Sequence, residues 1–127
     1  MASKPSIDID LSGIEKKFSP EELKKKQAAF AHRVGFDMNK HCPYDEGTLH
    51  DSMPESSDFE NGQIVWNTPY AKKVLNAESV RNDGPRNADA KPQWPEYTKS
   101  ERLGEWRKFA ASLLGDGTTV RVGALDD

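Results

Sequence analysis

Residues 19–42, SPEELKKKQAAFAHRVGFDMNKHC, carry the strongest structural signal in the chain. Ser19 can cap the free N–H groups of a helix start, Pro20 suits the first helical position, and Glu22 completes a capping box. Behind this start, apolar residues recur with the period of a helix: Leu23, Phe30, Ala31, Val34, Met38 and Cys42. We predict a helix over residues 20–41, ended by Pro43.

On the N-terminal side of this helix, residues 7–11 (IDIDL) alternate strictly between apolar and acidic side chains. Alternation of this kind is typical of a short, half-exposed strand. We therefore expect residues 1–18 to form an N-terminal arm or edge strand, and residues 19–127 to form a single α+β domain.

On the C-terminal side, Asn61-Gly62 is the strongest hairpin signal, lying between residues 58–60 and 63–67. A second helix is predicted after a cap at Ser100, with apolar residues at helical spacing: Leu103, Trp106, Phe109 or Ala110, Leu113 and Leu114. Residues 118–123 read as a final strand, whereas residues 49–53 suit either a strand or a short helix. Trp66 and Trp106 fall where core residues belong.

Residues 76–100 contain three prolines and no clear period, and their charges balance. We predict a long loop there. A loop of this length inside a compact domain is usually functional or flexible, and we expect this one to become ordered against neighbouring subunits. The candidate contacts between subunits are Arg81, Arg86, Trp94 and Tyr97.

Composition limits the class of protein. The chain has 127 residues, 35% of them hydrophobic, a mean hydropathy of −0.84 and a formal net charge of −3. It fits one domain, and so polar a composition suits a chain that is largely loop or whose apolar surface is completed by neighbours. A protein whose main task is to neutralise DNA phosphates usually has a basic excess, so we do not expect DNA binding as the main role, while non-specific DNA contact as a secondary role stays open. No apolar run reaches the roughly 20 residues of a membrane span, and no signal peptide is evident, so we expect synthesis in a reducing cytoplasm.

Residues capable of chemistry are few. His32, His41 and His50 accompany the single cysteine, Cys42, but structural zinc needs four ligands, commonly in paired short spacings. A Cys42/His50 nucleophile and base pair lacks an orienting third group, and the adjacent Asp45 and Glu46 usually diverge. We expect no metal, no cofactor and no catalysis. A small hydrolase that uses Cys42 or the Asp45/Glu46 pair remains an alternative.

Three segments resemble a known family of proteins. Residues 43–52 (PYDEGTLHDS) resemble the P-x-D-T-G-x-L-x-x-S signature that follows the first helix in small neck and tail-completion proteins of tailed bacteriophages. Residues 65–71 (VWNTPYA) are similar to a strand end in the same proteins, especially minor capsid proteins of phages with Gram-positive hosts. Residues 106–110 resemble their closing helix. The family typically has Thr where this chain has Glu46, so a capping role for that side chain is in doubt.

The resemblance spans roughly residues 20–115 and implies structural roles for the matched positions: Pro43, Asp45, Gly47, Leu49, Ser52, Tyr70, Ala71, Trp106 and Ala110. It implies an α+β fold in which a long N-terminal helix packs on a small antiparallel sheet, with a second helix near the C-terminus. It also implies a virion protein of the head–tail junction. Such a protein forms a homo-oligomeric ring around the DNA channel, contacts neighbouring neck, portal-side and tail-terminator proteins, and has no membrane partner. The alternative is a small phage adaptor or regulatory module that binds a protein partner through its first helix.

Overall fold

The computed structural model describes residues 6–14, 17–42, 48–67, 91 and 93–124. Along the chain these residues form strand β1 (Ser6–Ser12), helix α1 (Pro20–Asn39), helix α2 (Thr48–Ser56), a 3₁₀ turn (Phe59–Asn61), strand β2 (Gln63–Val65), helix α3 (Trp94–Leu114) and strand β3 (Thr119–Ala124). The predicted α+β class is confirmed. Residues 49–53, for which strand and helix were both open, lie in α2.

The three strands form one antiparallel sheet in the order β2-β1-β3. Ile7 and Ile9 of β1, together with Val120 and Val122 of β3, are buried in the core that the helices cover. The expectation of an N-terminal arm or edge strand is corrected here, because β1 lies at the centre of the sheet. Alternation predicts a strand with one apolar face, but it carries no information about which strands pair on either side. The division of the chain at residue 18 remains a prediction.

Helix α1 begins as predicted. The Ser19 side chain accepts a hydrogen bond from the Glu22 backbone N–H, and the Glu22 carboxylate accepts one from the Ser19 N–H, both at 3.1 Å. The helix ends at Asn39, two residues before the predicted end. Its apolar stripe is buried at Phe30, Ala31, Val34 and Met38, and Cys42 is buried just beyond it. Pro43 lies outside the described residues.

The predicted hairpin is correct at its turn and wrong in its first strand. A turn does occur at Gly62, whose φ of +72° suits glycine. Residues 59–61, however, form the 3₁₀ turn in place of a strand, and one isolated bridge joins Asp58 to Gln63. The strand that follows pairs with β1, where the Ile9 N–H donates to the Gly62 carbonyl at 2.7 Å. Strand β2 therefore pairs with β1, a strand distant in sequence, and keeps a local partner at the Asp58 bridge.

The second helix begins at Trp94 and not after Ser100, so residues 94–100 of the predicted loop are helical. Pro95 read as a loop signal, but it lies in the first turn, where its missing N–H costs nothing. Ser100 is not a cap, since its hydroxyl donates to the Tyr97 carbonyl within the helix at 2.7 Å. Most of the remaining loop lies outside the described residues.

The tryptophans organise the core. Trp66, Trp94 and Trp106 are all fully buried, which confirms the core positions expected for Trp66 and Trp106. The rings of Trp66 and Trp94 meet edge to face, with centroids 5.4 Å apart. This arrangement joins the end of β2 to the start of α3.

Candidate functional site

The last turns of α1 hold two buried polar side chains, each bonded to a tryptophan. Asp37 accepts a hydrogen bond from the Trp106 indole N–H, and Asn39 accepts one from the Trp66 indole N–H, both at 2.8 Å. Asp37 is 7% exposed and Asn39 is 2% exposed. A buried acceptor that loses its donor costs about 1–3 kcal/mol. The two bonds therefore hold the end of α1 against α3 and against the segment that follows β2.

Two cations also surround the Asp37 carboxylate. Arg33 Nε donates to Asp37 Oδ2 at 3.4 Å, and Lys40 Nζ lies 3.5 Å from Oδ1. Both cationic side chains are largely exposed, so each pair contributes little by itself. Because Trp106 donates to the same oxygen as Arg33, the Asp37 carboxylate stabilises the packing of α1 on α3 and is not exposed to a substrate.

Cys42 is unsuited to nucleophilic catalysis. Its side chain is fully buried, and burial raises the pKa of its thiol far above the ordinary value. The thiolate is the reactive form of cysteine, so a protonated, inaccessible thiol is inert. Within the described ranges, no three His, Cys, Asp or Glu side chains are grouped so that they could hold a metal ion. Asp45, Glu46 and the side chain of His50 lie outside what the structure describes.

The positions matched to the phage signature are only partly described. Trp106 and Ala110 are fully buried on α3, and the Ser52 hydroxyl accepts a hydrogen bond from the Asn67 N–H at 3.0 Å, joining α2 to the end of β2. Leu49 lies in α2. Pro43, Asp45, Gly47, Tyr70, Ala71, Arg81 and Arg86 lie outside the described residues. The structural roles given to these positions stay predictions.

The two aromatic residues expected at subunit contacts differ in burial. Trp94 is 0% exposed and packs against Trp66, so the subunit core already covers the ring that was expected to meet a neighbour. Tyr97 is half-buried. Its ring meets His41 edge to face at 4.9 Å, and Lys91 Nζ lies 5.6 Å from its centroid. A contact role for Tyr97 stays a prediction.

An aromatic patch on the outer side of α1 was missed in the sequence. Phe36 is 37% exposed. Its ring centroid lies 4.2 Å from that of His32, which lies 5.3 Å from that of Phe59. We call these three residues the aromatic patch. Phe36 is out of phase with the buried stripe of α1, and that phase was the available signal, although one exposed apolar residue by itself is common on protein surfaces.

A second surface feature lies between α3 and β3. A groove of about 520 Å³ is lined by Lys99, Leu103 and Arg107 of α3, by residues 120–123 of β3, and by Asp8 and Asp10 of β1. We call it the α3–β3 groove. The spacing of four residues between the α3 positions shows that they share a helix face. The sequence does not reveal that this face lies beside a strand edge.

The comparisons with known proteins gave one finding. A family model described as "Minor capsid protein" matches residues 5–113, well over half of the chain. No curated protein and no solved structure matches the chain. Across the described residues, no helix is both long and apolar enough to span a membrane.

Proposed function

The chain belongs to a minor capsid protein family of phages, and we propose that it is a ring-forming neck subunit that connects the portal complex of the capsid to the tail. Family membership makes it a structural protein of the virion. The finer proposal is a homo-oligomeric ring around the DNA channel at the head–tail junction. Its neighbours there are other neck proteins, portal-side proteins and the tail terminator.

The observation that carries the proposal is that two different surface features lie on different elements of one small subunit. The aromatic patch lies on α1 and the 3₁₀ turn, and the α3–β3 groove lies on α3 and the sheet. A ring subunit of the neck contacts neighbouring copies of itself and also a different protein of the adjoining layer, so it needs more than one contact surface. A subunit with two dissimilar contact features suits that requirement.

The interior of the subunit supports a structural role. The bonds from Trp66 and Trp106 fix the end of α1 against two other elements. A subunit that transmits force between a head and a tail benefits from packed elements that cannot shift separately. The candidate nucleophile Cys42 is buried, which favours a structural protein over the hydrolase alternative.

The test is localisation in the phage particle. We expect purified virions to contain the wild-type chain in a small fixed copy number, and we expect electron microscopy of virions carrying a tagged chain to place the tag at the neck. Deletion of the gene is expected to leave DNA-filled heads without attached tails. A chain absent from purified virions, or distributed over the capsid shell, would contradict the neck proposal.

The aromatic patch also favours a second candidate function, an adaptor that binds a protein partner through α1. Phe36→Ser separates the two candidates because the side chain is partly exposed and its replacement should leave the fold intact. Lys25→Ser, at another exposed position of α1, is the matched control. Binding to a partner in infected cells that Phe36→Ser abolishes, with no chain in virions, would favour the adaptor.

A further inference from the structure

The two outer edges of the sheet differ. The outer edge of β2 is closed by its own chain: Gln63 and Asp58 exchange two backbone hydrogen bonds at 2.9 Å, and the Val65 N–H donates to the Ser57 hydroxyl at 2.9 Å. Exposed strand edges are sites for pairing with another chain, and proteins commonly block them. The β2 edge is blocked in this way.

The outer edge of β3 carries outward-facing backbone groups. The Ile9 N–H points towards β2, because it donates to the Gly62 carbonyl. Backbone groups in an antiparallel strand alternate between its two sides, so Asp8 and Asp10 point towards β3 and pair with Gly123 and Arg121.

By the same alternation, the N–H and C=O groups of Val120 and Val122 point away from β1. Within the described part of the chain, β1 is the one strand hydrogen-bonded to β3. Two outward-facing N–H donors and two C=O acceptors therefore line this edge, while the side chains of Val120 and Val122 are buried in the core.

The α3–β3 groove is lined by Val120 and Val122 of this strand, and α3 gives it a cationic wall with an apolar centre. Lys99, Leu103 and Arg107 follow one another at intervals of one helical turn. Lys99 and Arg107 lie eight positions apart, which is about 12 Å along a helix. Two positions four apart in an extended strand are separated by about 13 Å, and alternate side chains of a strand share one face. The wall thus matches an extended segment whose positions i, i+2 and i+4 are acidic, apolar and acidic.

We propose that the α3–β3 groove binds an extended segment of a different phage structural protein, which adds a strand to β3. The segment presents an acidic, an apolar and an acidic side chain at alternate positions to Lys99, Leu103 and Arg107. Its backbone bonds to Val120 and Val122. Strand addition of this kind takes affinity from the main chain and specificity from alternate side chains.

The remaining charged residues of the groove would lie on the side of the added strand that faces away from α3. Arg121 lies opposite Asp10 across β1 and β3, and Asp8 lies opposite Gly123. The intervening side chains of an added strand would lie beside Arg121, with the two carboxylates further in towards β1. Polar, uncharged side chains suit those intervening positions, whereas a segment with basic residues towards α3 would meet Lys99 and Arg107 and be repelled.

The experiment is site-specific photo-crosslinking in infected cells. p-Benzoyl-phenylalanine is introduced at Arg121, which lines the groove beside the intervening side chains, or, as the control, at Lys108, an exposed cation of α3 that does not line the groove. Crosslinked peptides are identified by mass spectrometry. We expect the Arg121 position to capture one segment of another phage structural protein that has the acidic, apolar, acidic pattern, with at least tenfold more product than the Lys108 position.

A charge-reversal pair tests the same contact without a photoprobe. Binding of the synthetic peptide that crosslinking identifies is measured for the wild type, Arg107→Glu and Lys108→Glu. We expect at least tenfold weaker binding for Arg107→Glu and less than a twofold change for Lys108→Glu. Hydrogen exchange should show slower exchange at Val120 and Val122 in the peptide complex and little change at Arg121 and Gly123, whose amides already face β1.

Three outcomes overturn the proposal: no crosslink above the Lys108 control, crosslinking to a second copy of this chain, or capture of a segment without the acidic pattern. The inference rests on the proposed function in one respect, which is that the partner is a phage structural protein. Crosslinking in infected cells does not require incorporation into virions, so a chain missing from the neck that still captures the segment would contradict the neck role alone.

Discussion

Replacing Trp106 with Phe removes the indole N–H that donates to the buried Asp37 carboxylate at 2.8 Å. A hydrogen bond to a charged group contributes about 1.5–3 kcal/mol, and one between neutral groups contributes about 0.5–1.5 kcal/mol. The smaller ring also loses two buried carbons, worth about 1.5 kcal/mol at about 0.8 kcal/mol each. We therefore expect Trp106→Phe to lower the free energy of unfolding by about 3.5 kcal/mol.

Trp66→Phe is the matched control. Trp66 is equally buried and its N–H donates over the same 2.8 Å, but its acceptor is the neutral amide of Asn39. The loss of ring size is common to both variants, so their difference isolates the charge of the acceptor. We expect Trp66→Phe to cost about 2.5 kcal/mol, about 1 kcal/mol less than Trp106→Phe.

Urea unfolding followed by far-UV circular dichroism measures both variants independently of tryptophan fluorescence. Equal m-values would show that the two variants expose the same surface on unfolding. A cost for Trp106→Phe that is equal to or smaller than the cost for Trp66→Phe would refute the reasoning, because the Asp37 carboxylate would then add nothing beyond a neutral acceptor.

Three further predictions test local features. Ser19→Ala removes the α1 cap and should cost about 1 kcal/mol in thermal unfolding, whereas Ser112→Ala on the exposed face of α3 should change little. Gly62→Ala should destabilise the fold, because its φ is +72° and a Cβ would lie 2.5 Å from a β1 carbonyl oxygen, while Gly104→Ala, with no atom within 4 Å, should stabilise it by about 0.5–1 kcal/mol. Since burial raises the pKa of its thiol, Cys42 should resist labelling by a thiol reagent at pH 8 until urea unfolds the protein; rapid labelling of the native protein would contradict its burial.

Local signals explain what the sequence predicted well. The start of helix α1 is signalled within four consecutive residues and its buried face by a regular period, and both features depend only on neighbours in the chain. The alternation of residues 7–11 likewise predicted β1, and Trp66 and Trp106 were recognised as core residues. The positions that bear a family resemblance at residues 43–47 and 70–71 remain predictions.

The errors arose where distant residues compete with local ones. Asn61-Gly62 signals a hairpin, yet β1 provides the partner for β2, and no local pattern announces that pairing. The prolines of residues 76–100 suggested a loop, although Pro95 occupies a first helical turn where proline is tolerated. The α3–β3 groove combines three elements from opposite ends of the sequence, so it could not be found before the sheet order was known.

The central position of β1 has a consequence for synthesis. Ser12 of β1 pairs with Thr119 of β3, and more than 100 residues separate the two in the sequence. The ribosome must therefore release the chain through β3 before the sheet can close. Contacts between such distant residues slow folding. A prematurely terminated chain can form α1 but lacks β3 and its outer edge. Sheet closure thus requires translation through β3, since a chain that stops earlier does not present that edge.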